Sequence, residues 1–524
     1  MKKILAFAAV AAAACIGLTA CSASGKGDYG YNDGNWSGNL SVGGSAGGDE
    51  ADSMAPGEGT DDENQGAANP DKPNEGYVHD SIIEQDFTNV ASEASSYFSL
   101  DRNTAGYSLM RSQIERGYKI SPDSVRIEEM INYFDYGFDG AGEDTLKVST
   151  YLSDCPWNEN SKLMLAGVKT AEYDLKDVNA NYVFLIDVSG SMSGNSRLGL
   201  AKKGFNYLLD GLGENDVVSI VTYASGVKTV LDGGECTEKG KADIRETISK
   251  LKASGATSGG DGLERAYNIA QKHFISDGNN RVIIISDGDF NVGMSSTNEL
   301  KEFIQTKAES GVYLSVLGVG MGNMRDDLLE TLATCGNGNY AYLDNETEAR
   351  KVFVDELTGT LKTVATDAKA CVTFTSSVEK YRLIGYDTKI ISKDEFDNIQ
   401  ADTGEIGSNL CVAALYEITL KEDAENKLAD VTVRCKTDNT GSEDTAREYK
   451  AEVTLETPSS DDLSFISCVA EFGLILRNSA YKGTSSITNV LERLDELTEY
   501  ISGDIYKQEF VTLVGKASES GHYN

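Results

Sequence analysis

Histidine is nearly absent: His79, His273 and His522 are the only three in 524 residues. A serine or cysteine nucleophile needs a base within hydrogen-bond reach. None of the three is placed to serve, since His79 falls in a polar N-terminal stretch, His522 near the end and His273 late in a predicted helix. Basic residues are also scarce, 47 Lys and Arg against 83 Asp and Glu, for a formal charge of −36. Phosphate backbones are gripped by basic patches, so nucleic acid is excluded as a partner. The nine cysteines contain no CxxC pair and no Cys/His spacing of a zinc site. Setting aside Cys15 and Cys21, seven remain; an odd number cannot all pair, and buried free thiols are expected. Past the N-terminus no apolar run reaches the ~20 residues that span a bilayer, and no internal repeat is visible.

What is present begins at the N-terminus. Lys2 and Lys3 precede an apolar stretch from Ile4 to Leu18, followed by Thr19, Ala20 and Cys21. A basic start, a short apolar run and small residues at the cut mark a secretory signal. Leu18-Thr19-Ala20-Cys21 resembles the bacterial lipobox. That resemblance implies removal of residues 1–20 and lipid attachment to the Cys21 sulfur. Each buried CH₂ of an acyl chain contributes about 0.8 kcal/mol, so several chains anchor firmly. The protein is therefore expected to be exported and lipid-anchored to the bacterial envelope, facing outside the cytoplasm. Residues 21–80 are rich in Gly, Ser, Asn and acids, with twelve acidic residues and two lysines between Ser22 and Asp80. They read as an extended tether.

Three further regions are expected. Residues 81–178 mix helix and strand: Ser121-Pro122 is a helix start, with Ile127, Met130, Ile131 and Phe134 on one face. Residues 179–362 alternate buried strands and helices, the pattern of a mostly parallel α/β sheet covered on both faces. Its strands are predicted at Tyr182–Val188, Val217–Tyr223, Val282–Ser286, Val312–Val319 and Tyr340–Leu343, with a closing helix at Glu346–Leu361. Residues 363–524 read as antiparallel strands of a β-sandwich, then helices bearing a Val490, Leu494, Leu497, Ile501 stripe. Strand-like segments flank the α/β region on both sides, and whether they join into one sandwich is open.

The chemistry gathers at the strand ends. Tyr182–Ser191 reads YVFLIDVSGS, an apolar strand running into Asp187, Ser189 and Ser191. Open α/β sheets present ligands at that carboxyl edge. Val282–Asp287 places a second carboxylate, Asp287, at a second strand end, and a glycine-rich loop offers Thr257. These are hard oxygen donors suited to Mg²⁺, Ca²⁺ or Mn²⁺. Together they resemble the metal-ion-dependent adhesion site of von Willebrand factor type A domains. The resemblance implies that Ser189, Ser191 and Thr257 supply hydroxyls. Asp187 and Asp287 would act directly or through water on a divalent cation, usually Mg²⁺, whose open position takes a carboxylate from a protein partner. It further implies that ligand binding can be coupled to movement of the closing helix.

Pro122–Tyr136, SDGDFNVG at 286–293 and the stretch from Phe465 extend the likeness to bacterial von Willebrand factor type A lipoproteins. These carry a family-specific domain before the central one and a domain of unknown function after it. The expected function is a non-enzymatic, metal-dependent recognition or adhesion module. A structural subunit of an envelope complex is the alternative. A Mg²⁺-dependent phosphoryl hydrolase fits less well, because its second acid two residues after the nucleophile is here Ser189. Asp289 and Asp261 read as outer or solvated carboxylates, Asp216 as a turn residue and Cys236 as an inert thiol.

Overall fold

The computed structural model describes residues 82–100, 102–172, 178–256, 261–276, 278–288, 297–320, 326–356, 363–398, 404–437 and 446–523. The expectations for the leader, the tether and Cys21 lie outside them. Strands β1 (Thr88–Asn89), β2 (Ser95–Ser99), β3 (Leu146–Asp154) and β4 (Lys162–Thr170) come first, with helices Ala105–Glu115 and Ile127–Asn132 between β2 and β3. Ser121-Pro122 opens only a single 3₁₀ turn, Pro122–Ser124. Val125 and Arg126 are extended, and the α-helix starts at Ile127. The apolar face still reaches its target: Ile127, Met130, Ile131 and Phe134 are all buried.

The central α/β domain follows as β5 (Ala180–Asp187), β6 (Val217–Tyr223), β7 (Val227–Glu235), β8 (Asn279–Ser286), β9 (Val312–Val319) and β10 (Tyr340–Leu343). The sheet order is β10-β9-β8-β5-β6-β7, parallel except for the edge strand β7. Side chains alternate across a strand, so β5 feeds two cores. Tyr182, Phe184 and Ile186 pack with Phe205, Leu208 and Phe353 from one side. Val183 and Leu185 meet Leu263, Tyr267, Ile304 and Leu329 on the other. This two-sided burial is why β5 and β8 are apolar without alternation.

Gly204, in the helix Leu198–Gly211, lies so close to the Phe353 ring that a Cβ there would overlap it. Alanine would gain about 1 kcal/mol of helix propensity, against about 1–3 kcal/mol for an overpacked core. Gly204→Ala is therefore expected to lower stability by about 1 kcal/mol in urea unfolding. A stabilised variant would mean that Phe353 moves aside freely.

The chain then adds β11 (Thr363–Phe374), β12 (Val378–Leu383), β13 (Gly404–Gly407), β14 (Cys411–Leu420), β15 (Lys427–Lys436) and β16 (Ala446–Thr454). One sheet runs β1-β12-β14-β4-β3, the other β13-β11-β15-β16 with β2 also paired to β11. Strands from before and after the central domain thus interleave. The segments read as separate domains, 81–178 and 363–524, build one sandwich with the α/β domain inserted between its halves. Phe98, Met164, Val372, Tyr416 and Val431 fill the space between the sheets. The outer face of the first sheet, through Leu163, Leu165, Ala413 and Leu415, shares a core with the helix Asp461–Arg477. That helix is buried almost throughout, which accounts for its being apolar all round. Among the described residues no helix is long and apolar enough to cross a membrane. The cysteines at 155, 236, 371, 411, 435 and 468 are buried free thiols, and Cys335 is half-buried.

A buried ionic cluster joins the inserted domain to its frame. Arg111, from Ala105–Glu115, donates from Nε and Nη2 to Asp344 at 2.9 and 2.6 Å and from Nη2 to Glu348 at 2.7 Å. Its Nη1 bonds the Tyr133 hydroxyl at 2.9 Å, which in turn donates to Glu348 at 2.7 Å. Asp344 and Glu348 flank the start of the closing helix. That helix is α-helical only over Glu346–Arg350 and then widens to a π-helix at Lys351–Glu356. The predicted continuation to Leu361 falls on residues 357–361, outside the described ones. Within the wide turn, Lys351 bonds Glu356 at 3.1 Å and lies 5.0 Å from the centre of the Tyr133 ring.

Candidate metal centre

The centre is assembled at the carboxyl end of β5. Asp187 is the last strand residue, opposite Tyr223 of β6, and the Val188 amide extends the pairing with a 2.9 Å bond to the Tyr223 carbonyl. The chain then turns through a 3₁₀ helix, Gly190–Met192, held down by the fully buried Met192. This turn brings the hydroxyls together: Ser189 Oγ and Ser191 Oγ are 2.9 Å apart. The Ser189 amide donates to Asp187 Oδ1 at 2.7 Å. Asp187 Oδ2 is buried and, among the described residues, has no partner at hydrogen-bonding geometry.

A second loop is stitched to the first. The Gly190 amide donates to the Gly255 carbonyl at 2.9 Å, and the Ser254 amide to the Val188 carbonyl at 2.7 Å. Gly255 sits at φ +89° and a Cβ there would run into Ser225 Oγ, so a side chain would be both strained and crowded. The described part of this loop ends at Ala256, whose amide bonds Ser225 Oγ at 3.0 Å. Thr257 and Asp289 lie outside the described residues.

The third contribution is Asp287, buried immediately after β8 and followed by Gly288 at φ +111°. Burial pushes the Asp187 carboxyl up to about 6. The Ser189 amide and hydroxyl oppose that shift, the Asp287 charge adds to it, and the Tyr223 hydroxyl opposes it. The structure therefore brings Asp187, Ser189, Ser191 and Asp287 to one sheet edge. Two carboxylates and two hydroxyls, with one carboxylate oxygen buried and unpartnered, are the chemistry a hard divalent cation satisfies. Among the described residues no three His, Cys, Asp or Glu side chains gather in metal-binding geometry, here or elsewhere, so any cation at this edge would rest on two carboxylates and hydroxyls.

Arg197 was invisible from the sequence. It precedes the helix Leu198–Gly211, donates to the Ser191 carbonyl and lies 3.5 Å from Asp287 Oδ2. It lies ten positions after Asp187 in the chain, with nothing local to show that the side chain returns to the loop. The other candidates resolve simply. Asp216 accepts the Ala180 and Gly213 amides, each at 2.7 Å, and so fastens a turn. Burial pushes the Cys236 thiol up to about 12, which makes it inert. His273 ends a helix and bonds Asp232 of β7 at 2.7 Å. Asp261 is exposed.

A parallel sheet inserted in a sandwich, with DVSGS at its carboxyl edge, defines a protein containing a von Willebrand factor type A domain. The family model of that domain matches residues 182–289, and a model described as von Willebrand factor matches 73–165. Residues 359–519 match the C-terminal model of the uncharacterized protein YfbK. YfbK of Escherichia coli is 34% identical over 457 residues, covering 81% of this chain and 78% of that protein. The chain belongs to the YfbK family of von Willebrand factor type A proteins. It is also 25% identical to inter-alpha-trypsin inhibitor heavy chain H3 of Mesocricetus auratus, over half of this chain and 31% of that protein. A von Willebrand factor type A structure from Catenulispora acidiphila aligns with 75% of this chain and 90% of its own, at TM-score 0.39 and 15% identity.

Proposed function

We propose that the protein is a lipid-anchored, divalent-cation-dependent binding module. In this reading Asp187, Ser189, Ser191, Thr257 and Asp287 hold one cation, most simply Mg²⁺. The cation's remaining position takes a carboxylate from a protein partner. The observation that carries it is the Asp187 carboxylate, buried with one oxygen unpartnered beside two converging hydroxyls and a second acid. Leaving such an oxygen bare costs free energy that a cation would recover. Mg²⁺ binds few protein oxygens and keeps sites for water or ligand, which suits a recognition role. The lipobox-like Leu18–Cys21 and the acidic tether support attachment to the envelope, with the site held off the membrane.

A pull-down from solubilised envelopes, in Mg²⁺ and in chelator, tests this. The full chain is expected to fractionate with membranes unless Cys21 is replaced by alanine, and to capture partners only in Mg²⁺. Capture unaffected by chelator would defeat the metal-dependent reading. A single partner at fixed stoichiometry would favour a subunit of an envelope complex over transient adhesion.

A further inference from the structure

We propose that Arg197 is a built-in competitor for the divalent cation, and that it sets how tightly the site holds the ion. The inference rests on the metal-binding reading above. The Arg197 side chain folds back from the start of its helix over the carboxyl edge of the sheet. There it is held by three separate elements. Its Nη1 donates to the Ser191 carbonyl in the β5 loop, and the same nitrogen lies 3.5 Å from Asp287 Oδ2 after β8. Its shaft crosses Gly320, the residue following β9, which sits at φ +76° and has no room for a Cβ beneath the arginine. The absence of a side chain at Gly320 leaves the arginine room to cross the edge.

The chemistry follows from charge. A guanidinium stays protonated at every accessible pH, so the positive charge beside Asp287 is permanent while the side chain remains there. Two cations compete for the same carboxylate. An incoming ion must either displace the guanidinium or share Asp287 with it, and both weaken binding. The Arg197 side chain is 28% exposed, so it has solvent to swing into. A strongly hydrated lysine head would reach the same acid without the planar fork. Charge, more than shape, is thus the property to vary.

Metal-stripped full chain is titrated with Mn²⁺ alone by calorimetry, as wild type, Arg197→Met and Arg197→Lys. Methionine keeps the apolar shaft over Gly320 and removes the charge. It is expected to tighten Mn²⁺ binding by about tenfold, as removal of a nearby like charge should. Thermal unfolding in chelator is expected to show a lower Tm for Arg197→Met, because Asp287 loses its counter-charge, and a larger rise on adding Mn²⁺. Arg197→Lys should stay within about threefold of wild type. Should wild type bind Mn²⁺ and Arg197→Met bind no more tightly, the competitor role is overturned and the metal site stands. Should wild type take up no Mn²⁺, both readings fall together.

Discussion

Asp187→Asn is expected to make the metal-free protein more stable at pH 8 and to remove its response to Mg²⁺. Asp187 is fully buried, and its carboxyl is pushed from 3.8 up to about 6, chiefly by burial. A native-state value above the unfolded one means that the native state binds the proton more tightly. Ionised Asp187 therefore costs stability in full above about pH 6. The cost is relieved as pH falls through that value towards 3.8. Its size is about 1–3 kcal/mol. Asparagine keeps the acceptor for the Ser189 amide and carries no charge. The variant's advantage in chelator should be largest at pH 8 and fade towards pH 4. Added Mg²⁺ should stabilise wild type through binding linkage and leave the variant unchanged. Urea unfolding at pH 8 and pH 5, with Mg²⁺ and with chelator, checks all four arms. A variant less stable than metal-free wild type at pH 8 would contradict the picture of a carboxylate held for a cation.

Arg111→Met is expected to cost about 3–5 kcal/mol, the penalty for removing one partner of a buried ionic cluster. The side chains of Arg111, Asp344 and Glu348 are each at most 2% exposed, so solvent cannot replace the lost guanidinium. Burial already raises the Glu348 carboxyl, against the opposing pull of Arg111. Without the arginine that carboxyl rises further, and its ionised form is penalised more. The deficit should be greatest at high pH and shrink as pH falls and Glu348 takes up a proton. Adding Glu348→Gln should recover part of the loss, a coupling that a double-mutant cycle in urea measures. Additive effects would show that Arg111 acts through packing alone. Asp344 and Glu348 belong to the end of the inserted domain, and Arg111 and Tyr133 to its frame.

The central domain was legible because its signals are local. Val312–Val319 and Tyr340–Leu343 were read with the bounds the structure gives. Each apolar run there is bracketed by glycine or polar residues. The flanking module was harder. β2 is Ser-Ser-Tyr-Phe-Ser, mostly polar, and owes its strand form to pairing with β11, where Tyr97 lies opposite Cys371. A partner that far along the chain leaves no mark in the five residues themselves. The Val490–Ile501 stripe, read only as an apolar face borne on helices, spans two helices with a break at Leu497. Val490, Leu494 and Ile501 remain buried across the break, since the core asks for apolar contact and not for an unbroken helix.

At the candidate metal centre, Asp187, Ser189, Ser191 and Asp287 were legible as residues. Their convergence became visible only through the β5–β8 pairing and the bond between Gly190 and Gly255. Arg197 needed the folded chain.

Calorimetric titration of Mg²⁺ into the metal-stripped full chain, beside Asp187→Ala, tests the central claim most directly. One ion per chain is expected for wild type and none for the variant, with both showing the same far-ultraviolet circular dichroism. Equal Mg²⁺ binding by the two proteins would contradict the account.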